Sequence, residues 1–327
     1  MPPSPSDLHP ANRHPYRGYL YIATATFLWG ISATLGRAAF TGRLLPGAAV
    51  LKPIDPLILS QSRTTFSFFV FLLVLGVRRG WCRLRMPAAD FGRVVLLGIL
   101  GVAASNYLYY LAIQRTSVAT AIIVQYTAPV WVLLYAIVRG IQKPSLSRIA
   151  AALLAVLGIG MVIDVFHTGA LQLDKVGVIA ALLASFSFAF YNVAGHGLLT
   201  RYDRWIVLLY TTFAAAALWV VINPPSKIAA AHYSPYQWLF LVVFSFTSVL
   251  GPFSFYFAGL QYLEPTRAIV VSCLEPVFSI LIAAAALGES VHAMQAAGIF
   301  MVLAAILVVQ RPEKGSVPLL PAIEPIE

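Results

Sequence analysis

Residues 253–310 read FSFYFAGLQYLEPTRAIVVSCLEPVFSILIAAAALGESVHAMQAAGIFMVLAAILVVQ. Two apolar runs, 268–274 and 276–287, enclose one acidic residue followed by proline, Glu275-Pro276. A carboxylate at membrane depth is costly unless it is paired, hydrated or protonated. A proline there removes a helical hydrogen bond and leaves a carbonyl without its donor. A span that keeps both is a candidate functional site. A diverged copy of the stretch occupies residues 106 to 163.

Composition sets the class. The chain is 60% hydrophobic and 10% charged over 327 residues, whereas soluble domains carry about 25% charged residues. The missing charges leave uncharged windows at 18–36, 94–114, 116–138, 176–200, 205–226 and 290–310. Each approaches the ~20 apolar residues that cross a bilayer as a helix. Ten spans are predicted: 18–40, 56–77, 92–114, 117–138, 147–165, 176–199, 204–223, 236–261, 265–287 and 291–310. The expectation is therefore an all-α polytopic membrane protein. Short connections leave no room for a soluble domain, and the longest internal loop is expected over 41–55.

Basic residues set the orientation. With the N-terminus inside, fifteen Lys and Arg fall on cytoplasmic segments and five on the opposite side. That bias predicts cytoplasmic termini. It also accounts for the net charge of +10 without nucleic acid, because the basic residues sit in short loops beside spans. Residues 1–16 and 311–327 are expected to be disordered cytoplasmic tails. The first span is longer than a signal-peptide core and reads as a retained anchor. Cys82 and Cys273 are placed far apart, which argues against a disulfide.

The chain repeats itself. A shift of 147 residues lays Tyr109 on Tyr256, Gln114 on Gln261, Ala121-Ile122 on Ala268-Ile269 and Pro129-Val130 on Pro276-Val277. The Tyr, Gln and Pro matches weigh most, since apolar residues coincide easily. The first and sixth spans align at another offset, Gly18 with Gly177, Phe27 with Phe186 and Gly36 with Gly195. Each half holds five spans. Five is odd, so the halves have opposite orientation, the inverted repeat of many secondary transporters. The halves are predicted at 17–165 and 176–310.

The order of these motifs resembles the drug/metabolite transporter superfamily, in particular the ten-helix proteins built from two EamA domains. The resemblance covers about residues 18–310. It rests on Leu274-Glu275-Pro276-Val277, Leu287-Gly288-Glu289, Tyr256-Phe257-Ala258-Gly259-Leu260, Tyr109-Tyr110-Leu111-Ala112 and Gln125-Tyr126-Thr127-Ala128-Pro129. Trp29-Gly30 and Arg63 also look like family positions. The family often places a Gly-Glu pair after the fourth span, where this chain has Gly140-Ile141-Gln142-Lys143. A carboxylate role therefore rests on the second half. The resemblance implies a secondary carrier, commonly an exporter of small metabolites, with a cavity between the repeats.

Polar and aromatic residues inside spans are the candidates for lining that cavity: Trp29, Ser32, Arg63, Asn106, Tyr109, Tyr110, Gln125, Tyr126, Tyr191, Asn192, Tyr256, Ser272 and Glu275. Glu275 reads either as a proton-coupling or substrate-amine site or as an interhelical partner, with Arg63 the candidate counter-charge. Arg63 reads either as a receptor for a substrate carboxylate or as half of that structural pair. Asn106 and Tyr110 share a helix face, as do Trp29 and Ser32. Asn106 and Asn192 favour interhelical hydrogen bonds over ligand contact. Pro129 and Pro276 are candidate hinges or static kinks. Glu289 is expected in an outer turn, and Gly158 and Gly160 at close helix contacts.

Catalysis lacks its usual residues. The embedded acids are unpaired, the histidines lie mostly in tails and loops, and no metal-ligand cluster or phosphate-binding Gly-Lys-Ser/Thr motif occurs. The expectation is a non-enzyme without cofactor or metal, in the cytoplasmic (inner) membrane. It would exchange a small-molecule substrate across the lipid bilayer and is a candidate for proton coupling. The aromatic-rich embedded positions point to an amphipathic solute such as an amino acid. An importer or antiporter of sugar-phosphate or nucleotide-sugar anions is the alternative, which would need several convergent cations. Two five-span halves in one chain are compatible with a functional monomer.

Overall fold

The computed structural model describes residues 15–41, 52–84, 86–116, 118–163, 174–287 and 292–310. Among these, every regular element is helical. Ten long helical segments run in order. They are α1 (Pro15–Thr41), α2 (Pro56–Arg79), α3 (Ala88–Leu96, then Leu97–Ala103 and Ala104–Arg115), α4 (Val118–Gln125 and Ala128–Val138) and α5 (Leu146–Val162). The second half holds α6 (Lys175–Leu199), α7 (Arg204–Ile222), α8 (Pro235–Ser245, Phe246–Leu250 and Gly251–Leu260), α9 (Pro265–Ser272 and Leu274–Leu287) and α10 (Ala293–Gln310). Among the described residues eight helices are long and apolar enough to cross a membrane, and α5 is a shorter apolar helix. The 27-residue α1 is uncharged from Gly18 to Gly36. The chain is an all-α polytopic membrane protein.

Local chemistry starts these helices where the sequence puts it. Asp55 caps α2 through its carboxylate, which accepts from the backbone N–H of Leu57 and Ile58, with Pro56 just inside. Asp174 caps α6 and Asp203 caps α7 in the same way. Ser234 and Gln237 form a reciprocal capping box on α8. Each cap satisfies amides that a helix start leaves without intrahelical partners. Gly80 ends α2 at a φ of 81°, a conformation that favours glycine.

The repeat is visible in geometry. Gly18 on α1 packs against Tyr262 and Leu263 just past α8, while its counterpart Gly177 on α6 packs against Arg115 and Thr116 at the end of α3. The repeat-related helices α5 and α10 lie side by side and run antiparallel. The Ser147 hydroxyl donates to the Val308 carbonyl at 3.1 Å, and Gly158 faces Gly298 further along. The pair α2 and α7 also runs antiparallel, joined by Gln61 to Asn223 near one end and Arg79 to Asp203 near the other. Two equivalent helices can oppose each other in this way only when the halves are inverted. Gly160, grouped with Gly158 in the sequence, makes no close approach; an added Cβ there would find its nearest neighbour, Ile123, at 4.0 Å.

Two irregularities recur in both halves. A π-helical turn interrupts α3 at Leu97–Ala103 and α8 at Phe246–Leu250. The fourth helix of each half breaks at mid-length, around Tyr126-Thr127 in α4 and at Cys273 in α9. Tyr126 and Cys273 are related by the same 147-residue shift. Pro129 and Pro276 lie three residues past these breaks. The α-helical donors to the carbonyls of Gln125 and Ser272 are thereby removed.

Candidate functional site

The breaks bring the two halves together around Glu275. The Tyr126 hydroxyl donates to Oε2 of Glu275 at 2.5 Å, across 149 residues of sequence. Tyr126 is buried, and Glu275 keeps part of its surface accessible. On the α1 side, Gly30 packs against the α9 turn of Glu275, Phe278 and Ser279; a Cβ at Gly30 would meet the Phe278 Cβ at 3.1 Å. Close approach of α1 to the Glu275 turn therefore needs glycine.

Arg63 forms a second centre. It sits on α2 within a run of buried polar residues, Ser60, Gln61, Ser62, Thr64 and Ser67. Its guanidinium donates to the Tyr110 hydroxyl at 2.8 Å and to the Asn106 side-chain oxygen. It also lies 5.3 Å from the centroid of the Tyr110 ring, a cation–π contact. Its Nε–H has no protein partner. No carboxylate among the described residues stands at ion-pair distance from it, so the Arg63–Glu275 bridge that the sequence allows is not formed. The shared face of Asn106 and Tyr110 is real, and it is directed to Arg63. Tyr109, the neighbour of Tyr110, packs instead with Ala112, Ala121, Ala180 and Ala181.

An aromatic cluster forms the third part. The Trp29 ring lies 5.2 Å from Tyr256 and 5.5 Å from Phe253, and its indole N–H donates to the Ser248 carbonyl. Phe188 stacks on Tyr191 and reaches Tyr126 edge-on at 6.5 Å, which links the cluster to Glu275. The Tyr256 hydroxyl donates to Asn192 at 2.6 Å, and the Asn192 amide donates to the Phe188 carbonyl. Tyr191 is 2% exposed, so it is a packing residue of this cluster. Ser32 and Ser272 donate to carbonyls of their own helices, Trp29 and Ile269. Gln125 is half-buried beside the α4 break.

Sequence reasoning missed Phe188, Ser248 and the polar run of α2. The run was visible as SQSRTT at 60–65, since consecutive hydroxyl and amide residues inside a span need partners. Glu289 and both chain ends lie outside the described residues. Among the described residues no group of His, Cys, Asp and Glu could hold a metal ion.

A cleft of about 720 Å³ opens on the face opposite the start of α1 and the end of α10. Tyr110 contributes to its wall, with Lys52, Ile54, Leu57 and Ile113. The face that carries the start of α1 is laced by polar contacts that include ion pairs. Arg79 pairs with Asp203 at 2.9 Å, and Asp90 with Arg93 at 2.8 Å and Arg201 at 3.7 Å. Tyr202 donates to Asp90, and Gln142 donates to Glu264. The Tyr202 hydroxyl, which donates to Asp90, holds its proton above the ordinary tyrosine range.

An inverted ten-helix bundle with charged and aromatic groups buried between its halves is the architecture of a membrane carrier. The EamA-like transporter family matches residues 16–163 and 175–311, so one copy falls on each half, and the chain belongs to that family. Similar proteins carry transporter names. An uncharacterized transporter of Archaeoglobus fulgidus is 24% identical over 65% of this chain and 76% of its own. The uncharacterized inner membrane transporter YicL of Salmonella typhimurium is 20% identical over 90% of this chain and 95% of its own. A crystal structure with 20% identity superposes at a TM-score of 0.70 over 90% of this chain and 96% of its own, which is a likeness of fold.

Proposed function

We propose that the protein is a secondary carrier that exports small organic metabolites by alternating access. The observation that carries this reading is the contact of Tyr126 with Glu275, at the point where each half breaks a helix. The substrate cavity would be lined by Trp29, Arg63, Asn106, Tyr110, Gln125, Tyr126, Tyr256 and Glu275. Tyr109, Tyr191, Asn192, Ser32 and Ser272 would support its walls. Pro129 and Pro276 would act as hinges, since the missing amide leaves each break with fewer bonds to disturb when its half-helix tilts.

Glu275 is the proposed proton carrier. A single carboxylate with a neutral hydroxyl partner can change protonation without disrupting an ion pair. An inward proton gradient would then drive cargo outward. Amphipathic cargo such as an amino acid suits the aromatic cluster beside this carboxylate. A sugar phosphate or nucleotide sugar suits it less, because Arg63 is the one mid-span cation among the described residues. The proposed setting is the cytoplasmic membrane, with both chain ends inside and one chain as the transport unit.

The test compares extracellular metabolites of cells carrying the wild type, Glu275→Gln at equal membrane abundance, or an empty vector. A solute enriched outside wild-type cells alone supports export through Glu275. Enrichment by both proteins removes Glu275 from the mechanism, and uptake in place of release reverses the direction.

A further inference from the structure

We propose that Arg63 is the receptor for a carboxylate on the cargo, that the 720 Å³ cleft is the way to it, and that Tyr110 is the movable wall between them. This rests on the carrier reading and names the substrate class of its site: small solutes bearing one carboxylate. Arg63 lies seven residues into α2, ~10 Å along the helix from Pro56 at 1.5 Å per residue. It is 5% exposed, and its partners are two neutral groups, the Tyr110 hydroxyl and the Asn106 amide oxygen. Neutral acceptors compensate a buried guanidinium only in part. The Nε–H, one of its five donors, has no protein partner. A carboxylate takes two parallel N–H bonds from a guanidinium, and here a donor is already free for it.

Access is the second observation. Tyr110 lines the cleft and its hydroxyl accepts from Arg63, so the residue that meets the open space is also the one that holds the cation. The cleft biases what enters. Its one carboxylate, Asp55, is engaged by the Leu57 and Ile58 amides. Lys52 donates to the Ala231 carbonyl; this partner is neutral, as are the amides on Asp55, so the rim keeps one charge of each sign and the selecting cation is Arg63. The remaining wall is largely apolar, Ile54, Leu57, Ile58 and Ile113 among it. A solute with an apolar body and an anionic head matches both parts. A phosphate dianion would require further cations beside Arg63.

The experiment uses the full chain in lipid nanodiscs. Ligand-induced thermal shifts are titrated for acetate, butyrate, 3-phenylpropionate, L-alanine, L-leucine and L-phenylalanine. Each is paired with its carboxamide. Members of the panel that bind are expected to do so about tenfold or more tighter as carboxylates, the scale of one lost charge-assisted hydrogen-bond pair. In Arg63→Gln the two forms should bind within about threefold of each other. Tyr110→Phe keeps the ring and removes the competing acceptor, so carboxylate binding should tighten several-fold. A purely structural role for Arg63 would not produce that gain, and this variant carries the test if Arg63→Gln fails to fold.

Equal binding of acid and amide, a preference that survives Arg63→Gln, unchanged or weaker binding in Tyr110→Phe, or no binding by any probe would each overturn the proposal. Flux of a cationic solute unaffected by Arg63→Gln would also overturn it while leaving the carrier intact. Absence of flux for every solute is the separate failure of the carrier reading.

Discussion

The Tyr126–Glu275 hydrogen bond concentrates much of the chemistry in two side chains. A hydrogen bond to a charged group contributes about 1.5–3 kcal/mol. Tyr126→Phe is therefore expected to lower the melting temperature by a few degrees and to reduce flux. In the double variant with Glu275→Gln the loss should be smaller than the sum of the single losses, because both changes act on one interaction: Tyr126→Phe removes the donor, and Glu275→Gln leaves an acceptor without its charge. Additive losses in a double-mutant cycle would show that the contact contributes no coupling. Glu275→Gln alone should also abolish any stimulation of flux by an inward proton gradient, read in proteoliposomes with and without an uncoupler. Glu275 was legible in the sequence because an acid inside a span is rare and expensive. Its partner was not: Tyr126 was visible as a motif, but no local pattern shows which of several tyrosines crosses 149 residues to meet the acid. Arg63 illustrates the same limit, since charge alone suggested Glu275 as its partner and packing gave it Tyr110 and Asn106 instead.

Helix contacts carry the second layer of specificity. Between α5 and α10, a Cβ placed on Gly298 would lie 2.6 Å from the Gly158 carbonyl oxygen, and one on Gly158 would lie 3.0 Å from the Gly298 carbonyl. Neither neighbour is a flexible side-chain tip, so the helices must separate. Gly298→Ala is expected to cost about 1–3 kcal/mol, the range for overpacking. Gly197→Ala, on α6 with open space around it, should be neutral or mildly stabilising. Thermal unfolding of the two variants in detergent tests this, and equal effects would contradict the packing argument. The spans themselves were readable to within a few residues because charge is excluded from them. The π-helical turns were not readable, since Leu97–Ala103 and Phe246–Leu250 look like any other apolar helix. Gly160 shows the converse error: small size permits close contact but does not create it.

Across the molecule the two faces differ. One opens into the cleft and is joined by neutral partners such as Gln61–Asn223, and the other is joined by Arg79–Asp203, Asp90–Arg201 and Gln142–Glu264. Exposed ion pairs contribute about 0.2–1 kcal/mol each. Removing two should therefore shift the balance between the two access states only several-fold. Arg79→Gln with Arg201→Gln leaves the Asp203 cap of α7 in place. In a Cys82→Ser background, the native Cys273 thiol, fully buried at the α9 break, reports the change. Its alkylation is expected to be several times faster in the double variant. An unchanged rate would mean that these contacts do not hold that face shut.

The π-helical turns carry a history as well. A π turn arises when one residue is inserted into an α-helix, and here the insertion stands at matching registers in both copies. The simplest order of events puts the insertion first and the gene duplication second. The ancestor would then have been a five-helix polypeptide that already contained the defect. To build this bundle, two such polypeptides had to enter the membrane in opposite senses and meet as a pair. Fusion into one chain would make that opposition permanent and leave each half free to differ, as they do at Tyr126 in one and Glu275 in the other.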